Sequence, residues 1–335
     1  MTQDAPKQAN FFFMLFMAYS LATQTTLVAP VMLILPGAPL IWVQGVWFAF
    51  TFLTFFLMFR YLSRRRLLSV IPRAPLGIKN ALIIIPMTLL LIPVTEFISA
   101  LSMYVFPNTI SGTLNETRQA GLIANLVIFA VFPALMEEIL MRGLLAHGYR
   151  GVNALLAALV NGLFFGLYHM NGNQFFYAAA LGVVFFLIVH YTGSVYGSML
   201  AHFVLNGVSV LLQFVLPESE AAAELTAESL TQAVAATGVL SLFAAPSVII
   251  LLWFMRRING HGTGRFLSER FLERDAPADE AAPAGGKRVF TWEFYVGTAF
   301  GVAVIALVFM SSGMAGDAAR QLEQLREAAA EFSRL

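Results

Sequence analysis

The chain has 335 residues, of which 59% are hydrophobic and only 12% charged, with a net charge of +1 and a mean hydropathy of +0.76. Soluble domains carry about twice that share of charge, so the composition excludes an ordinary soluble protein and gives no sign of a nucleic-acid partner. It contains no cysteine, which excludes disulfides, haem–thiolate and iron–sulfur ligation and a cysteine nucleophile.

The apolar runs are long and continuous, as membrane-spanning helices require, not short and alternating as in a barrel. A span needs roughly 20 apolar residues. On that basis helices are expected near 11–34, 41–61, 79–106, 121–146, 154–171, 175–191, 195–216, 231–255 and 291–312, an all-α polytopic bundle of eight or nine spans. The first run is too long for a signal-peptide core and lacks a basic leader. Between the second and third runs lie Arg60, Arg64, Arg65, Arg66, Arg73 and Lys79, the densest basic cluster, which the positive-inside rule assigns to the cytoplasm. Alternation then places the 147–153 and 256–290 connections inside, and the acidic 217–230 connection, with Glu218, Glu220, Glu224 and Glu228, outside. The expected topology is a multi-pass cell-membrane protein with a cytoplasmic N-terminus.

The chain divides into N-terminal helices (1–120), a core carrying the polar motifs (121–216), an external acidic loop with a further helix (217–255), a linker (256–290) and a last helix with its tail (291–335). The Ala/Pro/Gly-rich 272–288 stretch reads as flexible linker. Leu322, Leu325, Ala329 and Phe332 put an amphipathic helix in the tail. Gly193/Gly197 and Gly297/Gly301 have the small-xxx-small spacing that permits close helix packing.

Ionisable residues inside spans are costly and mark function or structural pairing. They are Glu96, Glu137, Glu138, Arg142, His169, His190 and His202, accompanied by Asn125, Asn161 and Asn206. In the stretch FPALMEEILMRG (132–143), Glu138 and Arg142 stand at i,i+4 in the favourable order and should pair. Glu137 is rotated about 100° away, with Leu140 and Met141 where a partner cation would sit. Pro133 should break or restart the helix just ahead of it. Asn161, Phe165 and His169 share one face of the next run, and His202 and Asn206 share a face of the seventh.

A carboxylate and a histidine together activate water, and a His/Asn pair supplies donors to an oxyanion. Glu137, His169 and His202 could instead ligate zinc with one open position. No HExxH motif is present. His169 also sits awkwardly: about 27 Å of helix separates it from Gly151, which demands either a fifth helix that begins below the membrane surface or a site near mid-membrane served by a deep water-filled cavity. The second is the expectation.

Glu137-Glu138-x-x-x-Arg142, Phe165-x-x-x-His169 and His202-x-x-x-Asn206, in this order, resemble the CAAX prenyl protease type 2 family and its bacterial CAAX protease and bacteriocin-processing (Abi) branch. The resemblance covers about residues 121–212 and differs at Met141, where the family often has Phe. It implies a helical intramembrane endopeptidase with a cavity opening to the cytoplasmic side, cutting a peptide bond near that side. Glu137 and His169 would activate the water and His202 and Asn206 would stabilise the oxyanion, supported by Glu138, Arg142 and Phe165. The expected chemistry needs no cofactor, zinc being the alternative, and the implied partners are a peptide or membrane-protein substrate and the lipid bilayer. A non-proteolytic immunity or scaffold protein of the same family is the rival reading, ahead of a proton-coupled transporter or a haem protein with His169 and His202 as axial ligands.

Overall fold

The computed structural model describes residues 5–35, 37–108, 110–215, 226–260 and 288–311; the linker and tail expectations fall outside them. The described residues form a helical bundle without a sheet. Its long helices are α1 (Ala5–Ile34), α2 (Leu40–Ser63), α3 (Ile78–Ser102), α4 (Leu122–Leu145), α5 (Ala154–Tyr168), α6 (Gly172–Thr192), α7 (Val195–Val215), α8 (Ala227–Ile258) and α9 (Trp292–Ser311). Eight of them are long and apolar enough to cross a membrane. The exception is α5, with 15 residues. It starts where its hydrophobic run does, at the Asn153 cap that accepts from Leu156 N at 3.0 Å, but ends three residues early, before Met170 in the left-handed region (φ 51°).

Contacts between loops establish which helix ends share a face. Val195 N donates to Pro72 O at 2.8 Å and Ala74 N to Gly193 O at 3.2 Å. Arg65 lies 2.9 Å from His147, and Asn80 and Asn259 exchange side-chain hydrogen bonds. Asn10 donates to Val289 O and accepts from Tyr149. The 64–77, 146–153, 193–194 and 259–260 connections and the first turns of α1 and α9 therefore gather at one end, here the basic face. At the far face Asn173 bonds Ser99 and Ser102, and Tyr104 meets Thr231 at 3.1 Å. Successive helices alternate in direction throughout, α5 included.

The core is aromatic and glycine-rich in different places. Phe13 of α1 stacks on Phe164 of α5 at 3.8 Å, and Phe16 packs edge-on against Phe55 of α2. In contrast α5 and α6 meet through glycine. A Cβ at Gly162 would lie 2.6 Å from Ala179 O, one at Gly166 2.6 Å from Phe175 O, and one at Gly182 2.7 Å from the Gly162 Cα. Gly162-x-x-x-Gly166 is thus the small-residue pair that sets the closest helix approach. Of the pairs expected from spacing, Gly193 instead ends α6 in the left-handed conformation (φ 66°), where lack of a Cβ removes the steric penalty. Gly297 and Gly301 do admit α1 and α5 to ordinary or slightly tight contact.

Overpacking a backbone-to-backbone crossing costs roughly 1–3 kcal/mol or more. Gly182→Val should therefore lower the thermal midpoint of detergent-solubilised protein clearly. Gly207→Ala, whose Cβ meets nothing within 4 Å, should stay within about 0.5 kcal/mol of the parent.

Candidate active site

The site is built around an irregular α4. Its first turns (Leu122–Leu126) pass into a π-helical segment (Val127–Val131), a helical stretch with Pro133 in its first turn (Phe132–Glu138), and a second π segment (Ile139–Leu145). Pro133 has no N–H to give to the carbonyl four residues back, and that carbonyl, Phe129 O, accepts from Asn206 Nδ2 of α7 at 2.9 Å. The proline expected to restart the helix does so, and the vacancy it leaves ties α7 to α4. Single π turns of this kind recur at functional sites.

The two adjacent glutamates have different surroundings. Glu138 is fully buried and its Oε1 accepts from Arg142 Nη1 at 2.9 Å. The same oxygen meets His202 Nδ1 at 2.9 Å. Arg142, 1% exposed, donates a second bond to Gly182 O at 3.1 Å and lies between the rings of Phe165 and Phe185, 4.4 and 5.3 Å from their centroids. Glu137 has only a long hydrogen bond, from Tyr168 to Oε1 at 3.4 Å, and its Oε2 has no hydrogen-bond partner among the described residues. His202 Nε2 stands 4.0 Å from that free oxygen. His202 thus sits between the carboxylates, one ring nitrogen towards each.

His169 caps the end of α5. Its Nδ1 lies 2.6 Å from Phe165 O; a carbonyl only accepts, so Nδ1 carries the hydrogen and Nε2 keeps the lone pair. Phe165 meets both histidine rings edge-on, at 4.9 Å to His169 and 5.8 Å to His202. Asn161 belongs to the packing instead, donating to Met141 O at 2.8 Å, and Asn125 is bonded to Thr117. His190 does not line the cavity.

One cavity of about 390 Å³ joins Glu137, Phe165, His169, His202 and Asn206. His169 thus lines the same cavity as Glu137 and His202 although its helix position is farther out. At about 1.5 Å per residue, Glu137 lies some 12 Å along α4 from the basic face, His202 some 10 Å along α7 and His169 some 22 Å along α5. Helical side chains point back towards the helix N-terminus, which raises Glu137 towards the far face and lowers His169 towards the basic one. The residues sequence reasoning missed are Tyr168, on Glu137, and Tyr177 and Gln174, which line the cavity farther out. Their aromatic or amide side chains carry no sequence signal in an apolar run. Glu96, singled out only as an ionisable residue, lines the outer part as well.

The cavity runs away from the basic face. The resemblance, taken with the charge pattern, implies an opening on the basic face. The lining residues instead run outward, through Leu205, Tyr177, Glu96 and Ser209 to Asn108 and Gln213, and none comes from the basic-face loops. The inner end is closed by Phe165, Phe185 and His202, packed over Arg142.

Among the described residues no group of three His, Cys, Asp or Glu is positioned to hold a metal ion. His169 and His202 each already have Nδ1 engaged, by Phe165 O and by Glu138.

Residues 119–208 match a family model, Rce1-like, described as type II CAAX prenyl endopeptidase Rce1-like. The likeness covers about a quarter of the chain. It spans α4 to α7, including every candidate site residue, and agrees with the resemblance to the CAAX protease and bacteriocin-processing family. No curated protein and no solved structure matches the chain. The Rce1-like helices do not stand alone: α1, α2 and α9 pack against α5, and α3 against α6 and α7.

Removing one member of a buried ion pair costs about 3–5 kcal/mol because the other charge stays desolvated and unpaired. Arg142→Leu should therefore destabilise the Rce1-like core by that order in chemical denaturation. Adding Glu138→Leu to it should restore most of the loss.

Proposed function

We propose that the protein is an intramembrane endopeptidase in which Glu137 activates the hydrolytic water. The observation that carries this reading is the division of labour between adjacent carboxylates: Glu138 is held through Oε1 by Arg142 and His202 and lies away from the cavity, while Glu137 has no ion-pair clamp and lines it. Its support from outside the site is the match to the Rce1-like endopeptidases.

In the proposed reaction a water rests between the Glu137 carboxylate and the lone pair of His169 Nε2. Glu137 takes its proton as the oxygen attacks the scissile carbonyl, the base role that such a pair performs. The carbonyl π electrons move onto oxygen, and the resulting oxyanion accepts from His202 Nε2–H and from the amide of Asn206. His202 acts here as an imidazolium, with Nδ1–H given to Glu138. The two carboxylates are then balanced by two cations, His202 and Arg142, inside a site that excludes bulk solvent. When the intermediate collapses, the C–N bond breaks and the proton on Glu137 passes to the departing amine. Asn206 has two amide hydrogens, one engaged by Phe129 O, so one remains for this task. Glu138, Arg142 and Phe165 position the others without touching substrate.

The chemistry assigns no step to a metal. If one is used, Glu137, His169 and His202 would have to move together to hold it. We also assign the basic face to the cytoplasm, and with it the N-terminus, because the connections that gather there contain most of the chain's Lys and Arg. The site lies within the cell membrane, and its substrate is a peptide or a membrane protein.

Membranes from cells expressing the wild type and Glu137→Ala should differ in the termini found by proteomic sequencing of peptide ends, with the variant reducing cleavage at least ~100-fold, as loss of a general base does. Identical termini would end the protease reading in favour of an immunity or scaffold role. Sensitivity of the wild-type pattern to chelator would return the metal to the mechanism.

A further inference from the structure

We propose that the catalytic cavity opens to the extracytoplasmic side of the membrane, and that its substrates are polypeptide segments presented from that side. The word substrate rests on the endopeptidase reading above; the direction of the opening does not.

Two independent observations combine. The first is geometric. The cavity lining begins at Phe185 and His202, each some 10 Å from the basic face by the ~1.5 Å helix rise, and continues past Leu205 and Tyr177 to the far end of the bundle. There Gln44, Asn108, Gln174 and Gln213, from α2, the 103–109 connection, α6 and α7, give it a polar outer margin. Polar amides at the end of apolar helices suit a water-filled entrance, not a lipid-facing surface. Towards the basic face the route is shut by the Arg142 guanidinium between Phe165 and Phe185.

The second is electrostatic. Of the thirteen Lys and Arg among the described residues, eleven lie in α1's first turn, at helix ends or in connections belonging to the basic face. Among the described residues the far face has Arg118. The far-face connection 216–226 has Glu218, Glu220 and Glu224 and no cation. Positively charged loops stay in the cytoplasm whatever the protein's activity. A basic face at the closed end of the cavity puts the open end outside. Both the pathway and the charge bias depend on residues spread over many elements, so neither hangs on one side chain.

The absence of cysteine from the sequence makes the test direct. Single-cysteine variants Gln213→Cys and Asn108→Cys at the outer margin, Ser209→Cys within the cavity and Ser69→Cys on the basic face would be exposed to a small membrane-impermeant maleimide in intact cells, then after lysis. Expected is labelling of the margin and cavity cysteines in intact cells close to the level reached after lysis, and labelling of Ser69→Cys only after lysis. The reverse pattern overturns the proposal. So does labelling of Gln213→Cys from outside while Ser209→Cys resists the reagent in folded, monodisperse protein, since the cavity is then not open at that face. Two margin positions are used so that one variant failing to fold leaves the result readable. Outward labelling together with wild-type and Glu137→Ala membranes that share all peptide termini would refute the protease reading and leave the opening in place.

Discussion

A buried arginine organises this bundle. Arg142 is buried inside the bundle, and the structure surrounds it: Glu138 one turn back, the Gly182 carbonyl from α6, and aromatic faces from α5 and α6. Charge taken out of water is tolerated only when paired and hydrogen-bonded, so these partners constrain where three helices can sit. The guanidinium reaches Gly182 because α6 crosses α5 at glycine, close enough that one added methyl would collide with backbone. Close crossing and buried charge are therefore parts of the same arrangement.

From that constraint the site follows. With Glu138 committed to Arg142, its remaining capacity fixes His202, and His202 in turn points its second nitrogen at Glu137. A second tie forms at Pro133, whose missing N–H leaves a carbonyl for Asn206. One helix face of α7 is thus anchored at two points a turn apart, both on α4 and both created by features of α4 that would be faults in an ordinary helix. The π segments on either side of Phe132–Glu138 belong to the same pattern. What lines the cavity after these commitments is the Glu137 carboxylate, the His169 imidazole and the Asn206 amide, the groups the proposed hydrolysis uses.

The far-side direction of that cavity bears on how such a site is used. A helix bundle with its basic loops packed together presents a closed, hydrogen-bonded surface at one end, where four connections interlock. The other end is where short α5 turns back and where polar residues interrupt the apolar lining. In the proposed reaction, access to Glu137 comes through the less tightly closed end.

Much of this was legible in the residues themselves. Composition and run length determine a helical membrane protein, because backbone polar groups in lipid must be satisfied within each segment. The i,i+4 rule alone identifies Glu138 with Arg142 and leaves Glu137 unclaimed, since both partners sit on one helix and their spacing is local. Motif order assigns His169, His202 and Asn206 to the same neighbourhood. Sequence could not decide how far each helix is offset along the membrane normal: the early end of α5 before Met170 and the backward lean of Glu137 and His169 set where they meet the cavity. Nor could it find Tyr168, the His202–Glu138 contact or the glycine crossing of α5 on α6, which join residues distant in the chain. The direction in which the cavity opens belongs to the tertiary structure entirely, because it depends on which helix ends leave space between them, and no single segment contains that information.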